Sequence, residues 1–109
     1  MLKIYNTLSG IKEELPKRKE LRLFVCGPTV YDYAHIGHAR TYIAFDIIAR
    51  YLKSAGNKIF YLQNITDIDN KILDSADKQN VSWKKLAKRF EKAYYQDMKA
   101  LGVKSVNRY

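Results

Sequence analysis

The sequence predicts an α/β fold, a parallel sheet with flanking helices. Three observations carry this. The run LRLFVC (21–26) is almost continuously apolar after Arg22, the pattern of a parallel strand buried on both faces. Residues 37–55, GHARTYIAFDIIARYLKSA, follow with helical periodicity. KIFYLQNI (58–65) then supplies a second strand, rich in β-branched and aromatic residues. Strand, helix and strand in about 45 residues make a βαβ unit with a right-handed crossover. Ligands of such sheets bind outside the carboxyl ends of the strands.

The other elements are arranged around that unit. KIYNT (3–7) alternates enough for a short strand. GIKEELPKRKE (10–20) is polar, contains Pro16 and reads as a loop or a ragged hairpin arm. Gly27 and Pro28 stop the LRLFVC strand. Tyr42, Ile43, Asp46, Ile47, Ala49, Arg50 and Tyr51 suit a mostly covered helix, which Gly56 and Asn57 end. DIDNKILDSADKQN (67–80) reads as a shorter helix, with Asp67 or Asp69 near its start, where the dipole favours acid. Ser82 is placed to cap a last helix through Leu101. There Trp83, Leu86, Phe90, Tyr94, Met98 and Leu101 form an apolar stripe beside a basic face.

At 109 residues the chain is expected to be one domain. A hydrophobic fraction of 47% argues for a folded chain rather than a disordered one. A single cysteine excludes an internal disulfide. No apolar run approaches the roughly 20 residues that span a bilayer, and MLKIYNTLSG has no signal-peptide core, so no membrane partner and a cytoplasmic location are expected. The net charge of +9 suits a polyanion such as RNA, or simply a soluble surface. From Ser82 to Tyr109 eight lysines and arginines face only Glu91 and Asp97, which motivates the reading of a basic RNA-binding module.

The chemistry concentrates in CGPTVYDYAHIGHAR (26–40), which holds the sole cysteine and both histidines. A helix beginning near Gly37 aims free N–H groups and partial positive charge at a phosphate. His35 stands just before that start and His38 just inside it, where imidazoles can donate to a phosphate gaining charge in a transition state. Gly37 lacks a Cβ, so a flat base can lie against its backbone. Capping or polar surface roles are the plainer alternative for the two histidines. No G-x-G-x-x-G and no G-x-x-x-x-G-K-[ST] is present. Cys26 is either a small core residue or one thiolate ligand to zinc, and a zinc site needs three or four ligands. If the two parallel strands are neighbours, Cys26, Gly27 and Thr66 face one crevice.

FVCGPTVYDYAHIGHAR, then YLQNITDIDNKI and FEKAYYQDMKALGV, resemble the N-terminal part of cysteinyl-tRNA synthetase. HIGH is the signature of class I aminoacyl-tRNA synthetases, and the resemblance runs from IYNT to LGV. It implies the first half of a Rossmann-like (HUP-type) nucleotide-binding fold. It also implies ATP-dependent activation of L-cysteine to cysteinyl-adenylate and transfer to tRNA(Cys), with magnesium accompanying ATP. His35 and His38 match the signature histidines, which stabilise the α-phosphate. Thr29 and Gly37 match the ATP site, Gly27 and Thr66 the cysteine pocket, and Cys26 the first of four zinc ligands. The other ligands and the K-M-S-K-S loop are expected beyond Tyr109. So the chain is expected to be a truncated fragment, inefficient alone, with an unpaired sheet edge that favours the missing part or self-association. Asn70 stands where the family usually has an acid. A simple H-x-G-H nucleotidyltransferase is a further alternative.

Overall fold

Residues 2–109 are described by a computed structural model. The order is β1 (Lys3–Asn6), β2 (Ile11–Glu14), β3 (Leu21–Val25), α1 (Ile36–Ser54), β4 (Ile59–Gln63), α2 (Asn70–Gln79) and α3 (Trp83–Ala100). β1 and β2 form an antiparallel hairpin, so the ragged arm is a strand as far as Glu14. Gly10 closes its turn at φ 73°, a conformation that glycine adopts without a Cβ clash. β3 and β4 are parallel neighbours in register from Leu21↔Ile59 to Val25↔Gln63, joined by the α1 crossover. The predicted βαβ unit is therefore present.

The strands are not buried on both faces. Leu21, Leu23 and Val25 turn inward with Ile59, Tyr61 and Gln63, whereas Phe24 is 60% and Phe60 38% exposed. The cause is the placement of the helices. α1 and α3 cover the same face, closing one core of Val25, Tyr42, Ala49, Leu52, Ile59, Tyr61, Tyr94, Met98 and Val103. α2 and α3 close a second cluster, with Val30, Ile72, Ala76, Leu86 and Phe90. α1 is likewise covered along one stripe only, and Ile47, Arg50 and Tyr51 are exposed.

Of the two acids expected near the start of α2, Asp69 is the cap, its Oδ1 accepting from Lys71 N at 2.9 Å; Asn70 is the first helical residue. Helix ends depart from expectation at two points. Ser82 occupies the N-cap of α3, but its hydroxyl makes no cap bond. Leu101 lies beyond α3 and is 45% exposed. Gly102, at φ 74°, turns the chain back so that Val103 takes the core position, its N–H donating to Met98 O at 3.0 Å.

The segment after Gly102 lies along β4. Asn107 N donates to Tyr61 O at 2.8 Å, and Gln63 N to Arg108 O at 3.0 Å, with Leu62 and Arg108 bridged in parallel. In the β3–β4 sheet the outer edge of β3 has no strand beside it among the described residues, and that of β4 is bridged only around Leu62. Asp46 of α1 fastens this segment. Its Oδ1 accepts from Ser105 N (2.8 Å) and Lys104 N (3.0 Å), and its Oδ2 from Arg50 Nε (2.6 Å). Burial alone would raise the Asp46 pKa, but the bonds from Ser105, Arg50 and Lys104 outweigh it and hold the pKa below 3.8. Asp46→Ala should cost about 2–4 kcal/mol, read by urea unfolding. Because the folded pKa is depressed, this stabilisation is complete above the unfolded carboxyl pKa and is lost as pH falls through the folded one.

Candidate active site

β3 ends at Val25, and the next five residues run beside the end of β4 as a pinned loop. Tyr42 Oη donates to Cys26 O at 3.2 Å. Gly27 N donates to the Asn64 side-chain Oδ1 at 2.7 Å. Thr66 N donates to Pro28 O at 3.0 Å, and Val30 N to Thr66 O at 3.1 Å, bridging Thr29 and Thr66 in parallel. Gly27, Thr29 and Thr66 thus lie together at the carboxyl ends of β3 and β4. Cys26, the preceding residue, is exposed, its Sγ 3.7 Å from Gly27 O. Gly27 is required there for space, because a Cβ would stand 1.7 Å from Asn64 O.

α1 starts at the histidines. His35 is the N-cap and His38 the third helical residue, and the two form a reciprocal capping box. His35 Nδ1 accepts from Gly37 N at 3.1 Å, and His38 Nδ1 accepts from His35 N at 3.2 Å. Capping occupies only Nδ1 of each ring and so does not exclude a chemical role for Nε2. Each Nδ1 carries a lone pair engaged by the backbone, so each neutral ring bears its proton on Nε2. The ring centroids are 4.1 Å apart, with Nε2–H the remaining donor on each. Burial and, secondarily, neighbouring His35 lower the His38 pKa below 6.5, which favours the neutral ring at pH 7. Long-range nitrogen–proton correlation NMR at pH 7.5 should show both rings as the Nε2–H tautomer; an Nδ1–H signature on either would contradict this arrangement. The Cβ position of Gly37 is taken by the His35 ring, with Cε1 at 2.8 Å and Nδ1 at 2.9 Å, so a base reaching that backbone has to approach elsewhere.

Tyr42 joins the two halves. Its ring stacks 6.3 Å from His38, and its hydroxyl holds the Cys26 carbonyl. Burial, then Cys26, pushes its pKa up to about 12, so it stays a donor. The intervening loop is held from outside: Arg89 Nη2 donates to Tyr33 Oη at 3.3 Å, and Ser75 Oγ to Tyr31 O at 3.4 Å. Sequence reasoning missed two residues, Tyr42 (read as a core residue) and Asn64. The one available signal for Asn64 was a second polar residue, after Gln63, closing an apolar strand. The described residues do not make a zinc site alone. Among them no three His, Cys, Asp or Glu side chains are grouped to hold a metal, and both Nδ1 atoms are engaged.

Residues 12–109 match the family model for the class I (C) tRNA synthetase catalytic domain. The chain is 54% identical over 110 residues to the cysteine–tRNA ligase of Thermococcus kodakarensis, covering 99% of this chain and 23% of that protein. It is 53% identical over 111 residues to that of Pyrococcus furiosus, covering 100% and 23%. For the Fusobacterium nucleatum ligase the identity is 48% over 106 residues, covering 95% and 22%. The fold is similar to methionyl-tRNA synthetase of Mycobacterium tuberculosis in complex with methionyl-adenylate. The TM-score is 0.79 at 25% identity, covering 84% of this chain and 18% of that one. The chain therefore spans about a quarter of the length of the curated relatives it matches.

Proposed function

Because the chain belongs to the class I (C) tRNA synthetase catalytic-domain family, we propose that it supplies the ATP- and amino-acid-binding part of a cysteine–tRNA ligase. The observation that carries this is the pair of imidazoles at the start of α1, each fixed with Nε2–H free to donate.

The reaction is adenylation. A carboxylate oxygen of L-cysteine attacks the α-phosphorus of ATP, and the bond to pyrophosphate breaks. Charge grows on the non-bridging oxygens, where the His35 and His38 Nε2–H groups donate most strongly in the transition state. The positive end of α1 adds to this. Thr29 and Gly37 line the nucleotide, and Gly27 and Thr66 line the amino acid. Cys26 would supply one thiolate ligand to a zinc ion whose other ligands are not among these residues, and a metal held there would favour sulfur over oxygen. Magnesium enters with ATP; a 3′-terminal hydroxyl of tRNA(Cys) then attacks the cysteinyl carbonyl, and AMP leaves as the acyl–phosphate bond breaks.

The test is cysteine-dependent ATP–pyrophosphate exchange, run on the 109-residue chain and on a chimera. In the chimera the chain replaces the matching 23% of the T. kodakarensis ligase. The chimera should exchange with cysteine and not with serine. A folded chimera that exchanges regardless of amino acid would instead support simple nucleotidyl transfer. No exchange by the folded chimera would sink the assignment.

A further inference from the structure

We propose that the exposed face of α3 is a contact track for the sugar–phosphate backbone of RNA, an inference that rests on the synthetase reading for its choice of partner. α3 has 18 residues, roughly 27 Å of helix. Lys84, Lys85, Lys88, Arg89, Lys92 and Lys99 are all exposed, and at helical spacing they fall within roughly 140° of arc. None of the six is ion-paired among the described residues, whose salt bridges involve Arg22, Arg50 and Lys58. A merely solvated helix face tends to carry acids interspersed at i+3 and i+4. Here Glu91 accepts from Tyr95 Oη at 2.9 Å, and Asp97 lies on another side, in the cleft with His35 and Ile36.

The surface is also shaped. Lys88, Glu91, Lys92, Tyr95, Gln96 and Lys99 line an open concavity of about 490 Å³. Three lysines and the Gln96 amide supply donors that phosphate and ribose accept, while the one carboxylate in the lining, Glu91, is engaged by the Tyr95 hydroxyl. The track is connected to the candidate site. Arg89 stacks over Phe90 at 5.1 Å and donates to Tyr33, in the loop that leads to His35. RNA lying along α3 would therefore run beside the helix start where activation is placed.

The experiment is fluorescence anisotropy of labelled unfractionated transfer RNA with the 109-residue chain, from 50 to 300 mM salt. The variant is the triple Lys88→Glu, Lys92→Glu, Lys99→Glu. The control is Lys12→Glu, Lys17→Glu, Lys19→Glu, which makes the same charge change on and after the β1–β2 hairpin. The α3 triple should weaken binding at least about tenfold more than the control. It should also flatten log K against log salt by about 0.7–0.9 per lost phosphate contact. Circular dichroism and melting identify any unfolded variant, and the corresponding Gln triple, with no reversed charge, should show the same order. Equal weakening by both triples would overturn the proposal and leave only net charge. So would selective loss of binding to phosphatidylserine vesicles or polyglutamate with RNA affinity unchanged. The readout needs no turnover. A chimera without exchange would remove the activation reading and leave this result interpretable.

Discussion

His38→Ala should lower kcat for cysteine-dependent exchange in the chimera about 100- to 1,000-fold, the usual cost of one lost transition-state donor. The side chain has two jobs in this structure, and they separate by magnitude. Its Nδ1 accepts from His35 N and completes the capping box. Losing a cap costs about 1 kcal/mol of stability, too little to unfold a domain. Its Nε2–H is the group proposed to meet charge growing on phosphate. His38→Gln should restore part of the activity, because its Nε2–H can reach the place of the imidazole Nε2, whereas His38→Asn should restore only the cap, its oxygen standing where Nδ1 accepts from His35 N. A thermal melt beside the kinetics separates the roles: Ala and Asn should differ in Tm but share the loss of kcat. Wild-type turnover in the alanine variant would remove His38 from the chemistry.

The second large effect is structural. Gly27→Ala places a Cβ 1.7 Å from Asn64 O, 2.9 Å from Asn64 C and 3.0 Å from Gln63 Cγ. Backbone cannot swing aside as a side chain can, so the loop after β3 has to separate from the end of β4. That breaks the Gly27–Asn64 bond and loosens the Thr29–Thr66 bridge. We expect a loss of roughly 2–4 kcal/mol and a fall in Tm on the order of 10 °C or more. Gly10→Ala is the matched control: its Cβ meets nothing within 4 Å, and only the positive φ is strained, so it should cost about 1 kcal/mol. Comparable melting temperatures for the two variants would contradict the close approach at Gly27.

What the sequence revealed was local. The βαβ unit was readable because strand and helix periods differ, and the histidines were readable because their spacing places them at a helix start. The arrangement at the strand ends depends on contacts that periodicity does not carry. Asn64 reaches Gly27 across 37 positions, and Tyr42 reaches Cys26 across 16. The open face at Phe24 and Phe60 was misread because strand composition does not say on which side the covering helices pack. The exchange of Leu101 for Val103 in the core follows from one backbone angle at Gly102. The paired role of the histidines was half legible, since capping and phosphate binding looked like competing uses of one imidazole. The structure gives capping to Nδ1 and leaves Nε2 for the proposed phosphate contact.

That division is tested most directly by titrating magnesium–ATP into the isotope-labelled 109-residue chain and following the side-chain signals of both histidines. ATP should shift Nε2 of His35 and His38 and the Gly37 amide, adenosine should leave the histidines nearly unmoved, and the effect should vanish in His38→Ala. Histidine signals that ignore ATP, or that respond equally to adenosine, would contradict a phosphate site at the start of α1.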